Sequence, residues 1–249
     1  MLGEDTLLFT RKGFKKLKEL NLYDEVLTSF GDFEPIIELG PWKECTYELT
    51  VSTGETFYCD DDILWDMNYS NASHYIYELK KGDFFGNISP FNGLEGERHV
   101  AEAYNYAVVV PSNVPEKYIL SDIDTKLAFL AGLIDSPICM LGQSDGIYEF
   151  YTRHEELVRD ITTLVRSLGL NVYVRKVDSV WGVSVYLTKY IDIIPIHDDL
   201  KQCEGYANSY SRLSINDIKE LKNDKKLLGR NIRVNRGHFL IGYSFVTVS

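Results

Sequence analysis

The chain has 249 residues, is 45% hydrophobic and carries a formal net charge of -11. No apolar run reaches 18 residues, which excludes a membrane-spanning helix, and the acidic first residues predict that no signal peptide is present. All of the net negative charge falls in the first 118 residues, and the rest is neutral, so charge does not favour a nucleic acid partner.

The first 115 residues are predicted to be β-rich. Short apolar or alternating runs are bounded there by Gly, Asp or Asn, a pattern typical of strands joined by turns. The predicted strands are Thr6–Thr10, Glu25–Thr28, Pro35–Leu39 and Tyr47–Val51.

Two helices are predicted in the middle of the chain. The first begins after the N-cap pair Ser121-Asp122, carries an apolar stripe and ends before Pro137. The second runs over 155–168 and is followed by Gly169, a typical C-cap residue. Strands are predicted between and after these helices and again near the end of the chain. These predicted strands are 147–151, 171–176, 181–187, 230–234, 239–241 and 245–248.

The four cysteines, Cys45, Cys59, Cys139 and Cys203, are isolated, with no C-x-x-C pair. They predict free thiols in a cytoplasmic or other intracellular reducing compartment rather than a zinc site.

Five short motifs in a fixed order carry a family resemblance. They are Met1–Leu8, Leu22–Thr28, Tyr77–Asp83, Leu130–Asp135 and Gly237–Thr247. In this order and spacing the chain resembles an intein of the Hint class with an inserted LAGLIDADG homing endonuclease domain. The resemblance implies an α+β protein. A β-rich Hint-like horseshoe of residues 1–115 and 205–249 is interrupted by one LAGLIDADG-like αββαββ unit at 119–200.

The resemblance also implies where splicing groups belong. The first residue should be a thiol or hydroxyl nucleophile, and this chain has Met1 there. A Thr and a His three residues apart should polarise the scissile carbonyl and protonate the leaving amine, and in the matching segment Cys59–Leu64 their places hold Asp60 and Ile63. The final His-Asn is matched by Val248 and Ser249. We therefore expect that the splicing chemistry has been lost.

A homing endonuclease holds its metal with an acid at the foot of the motif helix, and Pro137 occupies that place here. Asp135 and Asp145 are weak alternative ligands, so no cofactor is predicted, or Mg²⁺ if nuclease activity is retained. The motif's packing residues are retained, and these predict a close helix contact. They are Leu130, Ala131, Gly132 and Leu133.

Basic residues near the predicted sheet leave DNA binding open. Arg153, Arg175 and Lys176 flank strands whose family counterparts lie in the DNA major groove, but Glu149 and Asp178 lie beside them. The alternative interpretation is thus a DNA-binding or weakly active endonuclease that forms a homodimer through the 130–135 helix.

The favoured interpretation is a protein that is not an enzyme. The sequence predicts a structural or protein-binding component, derived from an intein and its homing endonuclease. By family analogy its partners belong to a larger assembly such as a virus or phage particle. No membrane partner is predicted.

Overall fold

The computed structural model describes residues 1–67, 73–86, 88–94, 98–141, 147–187, 190–196, 213–221 and 226–249. These residues form two compact units. Unit 1 consists of 1–88 and 213–249, and unit 2 consists of 89–212. The predicted boundary at 115 is wrong, because 89–115 belongs to unit 2 and contains a helix rather than strands. No helix among the described residues is both long and apolar enough to cross a membrane.

The α+β class is confirmed by the elements themselves. The helices, in chain order, are α1 (Val100–Val108), α2 (Glu116–Ile119), α3 (Ile123–Ile134) and α4 (Glu155–Ser167), with 3-10 turns at Leu17–Glu19 and Ile76–Glu78. The strands are β1 (Leu2–Gly3), β2 (Leu7–Thr10), β3 (Gly13–Lys16), β4 (Glu25–Leu27), β5 (Phe33–Leu39), β6 (Lys43–Glu44), β7 (Tyr47–Val51), β8 (Thr56–Cys59), β9 (Leu64–Asp66), β10 (Ser73–Tyr75), β11 (Cys139–Leu141), β12 (Ile147–Thr152), β13 (Asn171–Val177), β14 (Val180–Tyr186), β15 (Ile215–Glu220), β16 (Leu228–Arg230), β17 (Ile232–Val234), β18 (Phe239–Ile241) and β19 (Val246–Val248).

Unit 1 is built from two antiparallel sheets. In the described part of the chain one sheet has the order β15-β7-β8-β1-β16-β6, and the other has the order β10-β9-β19-β18-β2-β4-β5-β17 with β3 beside β2. Alternate side chains of these strands fill one apolar core, which includes Leu2, Phe57, Trp65, Phe239 and Val248. The first and last strands of the chain therefore lie inside the same β unit.

Unit 2 has the order αββαββ from α3 to β14, which confirms the predicted order. Its described strands form an antiparallel sheet in the order β11-β12-β14-β13. The predicted ends are also confirmed locally. The Asp122 carboxylate caps α3 by accepting a hydrogen bond of 2.7 Å from the Thr125 N–H, and Gly169 follows α4 with φ of 68°. Asp178, with φ of 55°, turns the β13–β14 hairpin.

Candidate functional site

The first and last residues of the chain meet one short segment of unit 1, residues 59–65. On one side β1 pairs with β8, with Leu2 opposite Cys59. On the other side β19 pairs with β9, and the backbones of Leu64 and Ser249 exchange two hydrogen bonds of 3.0 and 3.1 Å. The sheets thus bring together the residues that the family resemblance assigned to splicing.

Asp60 lies at the centre of this meeting point. Its carboxylate accepts a hydrogen bond from the Met1 backbone nitrogen, and its own N–H donates to the Met1 carbonyl at 3.2 Å. Met1, Asp60 and Ile63 are all buried. Of the three consecutive acids, Asp60 is therefore buried, whereas Asp61 and Asp62 are exposed. Ile63 brings an aliphatic side chain, which transfers no proton, to the place of the family's histidine.

A cleft of about 500 Å³ opens beside this point in unit 1. Its lining includes Ile63, Leu64 and Ser249, together with the ion pair that Arg233 makes with Glu38 at 2.9 Å. Because the charges of Arg233 and Glu38 cancel, Asp62 is the remaining charged side chain among the described residues that line the cleft. The cleft is thus weakly acidic, and its lining includes the apolar side chains of Ile63, Leu64 and Ile232.

Three titratable side chains near these strands were not predicted to belong to a site. Burial raises the pKa of the Cys45 thiol to about 11 and raises that of Cys59 further, so neither thiol ionises near neutral pH. His238, which directly precedes β18, has its Nδ1 3.3 Å from Oδ2 of Asp66. Since Phe239 pairs with Val248, His238 is opposite Ser249 in the register. The strand pairing, which no local pattern reveals, produces this proximity.

In unit 2 the packing residues of α3 are fully buried, and the partner of the helix is α1. A Cβ atom added to Gly132 would overlap the Tyr104 carbonyl oxygen and lie 2.9 Å from the Cβ of Ala107. The close helix contact that Gly132 predicted is therefore made within the chain. The helix face that the homodimer alternative assigned to a second copy of α3 is thus occupied by α1 of the same chain.

The described residues at the foot of α3 do not by themselves fit a metal ion. Asp135 accepts a hydrogen bond of 2.7 Å from the Tyr104 hydroxyl, and this bond is the main cause of the raised pKa of Tyr104. Pro137 offers no side-chain ligand, and Asp145 lies outside the described residues. A divalent cation takes several oxygen ligands, and one carboxylate that already has a partner is a poor site for it. In the described part of the chain the acids that converge within 4.8 Å are Asp60, Asp61 and Asp62, of which Asp60 already binds Met1.

The face of the sheet turned away from the helices, which we call the outer face, carries one of the three predicted DNA-binding residues. Along β12 the inward side chains are buried and the outward ones, including Glu149 and Tyr151, are half-buried. Arg175 lies opposite Gly182 on this face and donates to Glu149 at 3.3 Å and to the Tyr151 hydroxyl at 2.8 Å. Its charge is thus balanced within the face.

The other two predicted DNA-binding residues do not occupy strand positions of that face. Lys176 lies on the opposite side of β13, where its Nζ is 4.4 Å from the centre of the Trp181 ring. Arg153 follows the end of β12 and precedes α4. The structure therefore does not bring the three basic residues together.

Among protein-family models, one matches part of this chain. Residues 113–192 match the homing endonuclease family model. This segment contains α2, α3, α4 and all four strands of the unit 2 sheet, which covers about a third of the chain. A search of curated proteins finds no match.

Solved intein structures are similar to this chain at low identity. The MchDnaB-1 intein is 11% identical with a TM-score of 0.44, and the match covers 100% of this chain and 98% of that one. A bacterial intein-like domain from Clostridium thermocellum is 10% identical with a TM-score of 0.44, covering 99% and 96%. The gp41-1 intein is 21% identical with a TM-score of 0.31, covering 33% and 64%. These similarities assign no role to any residue here.

Proposed function

We propose that this chain is a non-catalytic relative of inteins with homing endonucleases, and that it acts by binding other protein chains as a component of an assembly. The observation that carries the proposal is the meeting point of the first and last residues. The family's places for a nucleophile and a proton donor hold Met1 and Ile63, and the Asp60 carboxylate between them is engaged by the Met1 nitrogen.

The residues of α3 support the same proposal for the second activity of the family, DNA cleavage by the homing endonuclease. The motif helix keeps its packing residues, while the metal position holds Pro137 and Asp135 is hydrogen-bonded to Tyr104. Truncating a large core side chain costs about 2–5 kcal/mol of stability, so random substitution would damage the core as well as the reactive positions. A chain that keeps its packing residues while its reactive groups are replaced is therefore what selection for a scaffold produces.

The test is to place the whole chain between two reporter proteins and to analyse the product by mass spectrometry. We expect one intact fusion protein, because no nucleophile is available at Met1. A ligated pair of reporters, or cleavage at either junction, would contradict the proposal. The variant Ile63→His in the same fusion is the matched control, and we expect it to stay intact as well, since a proton donor alone supplies no nucleophile.

DNA binding is the second candidate, and the family-model match over 113–192 favours it. It is tested by a gel shift of duplex DNA at two salt concentrations, because phosphate contacts weaken steeply as salt rises. Retained binding at ~150 mM salt would replace the first proposal with this one. We expect no shift, since Arg175 on the outer face is already paired with Glu149.

A further inference from the structure

The outer face of the unit 2 sheet is partly apolar and partly exposed. Met140 on β11 and Val177 on β13 are each 62% exposed, and Tyr173 is 39% exposed. The register places Met140, Glu149, Ser184 and Tyr173 in one row that crosses all four strands. Side chains directly opposite one another point to the same side of a sheet, so this row belongs to one continuous surface.

Polar groups in the middle of the face satisfy one another. Glu149 accepts hydrogen bonds from Arg175, from the Ser184 hydroxyl at 3.2 Å and from the Tyr151 hydroxyl. Arg175 reaches across β14 because Gly182 has no side chain there; an added Cβ would lie 3.1 Å from the Arg175 Nε. The guanidinium therefore extends across β14 to the side chains of β12. The hydrogen bond to Glu149 is the main cause of the raised pKa of Tyr151, so this hydroxyl stays protonated near neutral pH.

We infer that the outer face is the interface of a dimer, in which the sheets of two copies of this chain pack face to face. The inference rests on the proposed binding role and names the partner as a second copy. At its described strand positions the face carries one acid, Glu149, and one base, Arg175, which are in contact. Its charge is therefore balanced and complementary to itself, which an isologous interface requires. A nucleic acid needs an excess of positive charge, and this face has none among its described side chains.

The order of the strands makes the pairing specific. A two-fold axis that runs along the strands places β11 of one copy over β13 of the other. Because Met140 and Tyr173 lie in the same row, this operation brings Met140 of one copy onto Tyr173 of the other. Packed sheets lie about 10 Å apart, which leaves room for these two side chains to interdigitate. The apolar edges then surround the central polar cluster.

The dimer is tested by sedimentation velocity of the full chain at concentrations up to ~100 µM, in low and in high salt. We expect a dimer that is as strong or stronger at high salt, since the interface carries no net charge while salt screens the repulsion between two chains of charge -11. Met140→Glu and Val177→Glu each place a charge in the interface and should weaken dimerisation at least tenfold. Both side chains are exposed, so these variants should keep the fold, which circular dichroism checks.

Val109→Glu is the matched control, because Val109 is 74% exposed and lies just after α1, not in the sheet. We expect it to dimerise like the unchanged chain. A monomer at every concentration would overturn the inference, as would a dimer that both sheet variants leave unchanged. A monomer that binds duplex DNA would assign the face to nucleic acid and overturn it too. Sedimentation reports association alone, so its failure is distinct from the appearance of splicing or cleavage in the reporter fusion.

Discussion

Lys126 gives the sharpest quantitative prediction, because it is a lysine buried in α3 and no carboxylate among the described residues forms an ion pair with it. Its side chain is 0% exposed. Its Nζ donates to the Phe91 carbonyl at 2.6 Å and lies 4.1 Å from the centre of the Phe91 ring. Burial lowers the pKa of Lys126 from 10.5 to about 7, and the nearby Asp122 opposes that shift only in part.

The lowered pKa predicts how stability depends on pH. The Lys126 amine binds a proton more tightly in the unfolded chain than in the folded one. The free energy of unfolding is therefore undiminished by this group above pH 10.5, where the amine is neutral in both states, and it decreases as the pH falls towards 7. The loss is about 4 kcal/mol at pH 7, and about 2 kcal/mol of it is recovered by pH 9. Lys126→Met removes this cost and loses the hydrogen bond to Phe91, worth about 1 kcal/mol. We expect the variant to be more stable by about 3 kcal/mol at pH 7 and by about 1 kcal/mol at pH 9.

The assay is hydrogen-exchange mass spectrometry of peptides from α3 in increasing urea, which reports on unit 2 separately from unit 1. Comparing variant and unchanged chain at each pH cancels the titration of the buried thiols and tyrosines, which both proteins share. Lys117→Met is the control: Lys117 is exposed, and its hydrogen bond to Glu102 raises its pKa, so no such pH-dependent gain is expected. A difference between the Lys126 variant and the unchanged chain that is the same at pH 7 and pH 9 would refute the reasoning.

Three further predictions concern unit 2. Gly132→Leu should destabilise unit 2 by ~3 kcal/mol or more in urea unfolding, since its Cβ overlaps the α1 backbone. Gly86→Ala in unit 1, where an added Cβ would lie 3.8 Å from its nearest neighbour, should change the stability of unit 1 little, and equal losses would contradict the packing. Pro137→Asp should not produce metal-dependent nicking of a plasmid, because Asp135, the described acid at the end of α3, is already hydrogen-bonded to Tyr104. Nicking by this variant would contradict the account of the site. Burial raises the pKa of Asp160 to about 6, so the stability that this side chain contributes below pH 3.8 is lost as the pH rises through about 6. Asp160→Asn can still accept the hydrogen bond from the Val114 N–H, so this variant should melt at a higher temperature than the unchanged chain at neutral pH and at the same temperature at acid pH. Equal melting temperatures at both pH values would contradict the prediction.

Local signals predicted much of unit 2. Asp122 before an apolar stripe marks the start of α3, and Gly169 marks the end of α4, because capping uses groups close in sequence. The first helix, α1, was missed for the same reason. His99 precedes it without a side-chain cap, and the valines at its end are typical of strands. Its formation depends on packing against α3, which a local pattern does not contain.

The candidate site needed long-range pairing that sequence reasoning could not supply. The family resemblance named Met1, Asp60 and Ser249, but only the sheets show that Asp60 is buried against Met1. Likewise, Arg175 is a DNA-binding candidate in the sequence and a neutralised side chain in the structure. Gly182, on another strand, allows it to reach Glu149. Both outcomes depend on which strands are neighbours.

The central claim is that the scaffold was inherited while its reactive groups were replaced. The most direct measurement is a crystal structure of the full chain soaked in Mn²⁺, with anomalous difference density calculated at the foot of α3. The account predicts no peak beside Asp135, because a single hydrogen-bonded carboxylate does not hold a divalent cation. A Mn²⁺ ion coordinated there by two or more carboxylates would contradict it.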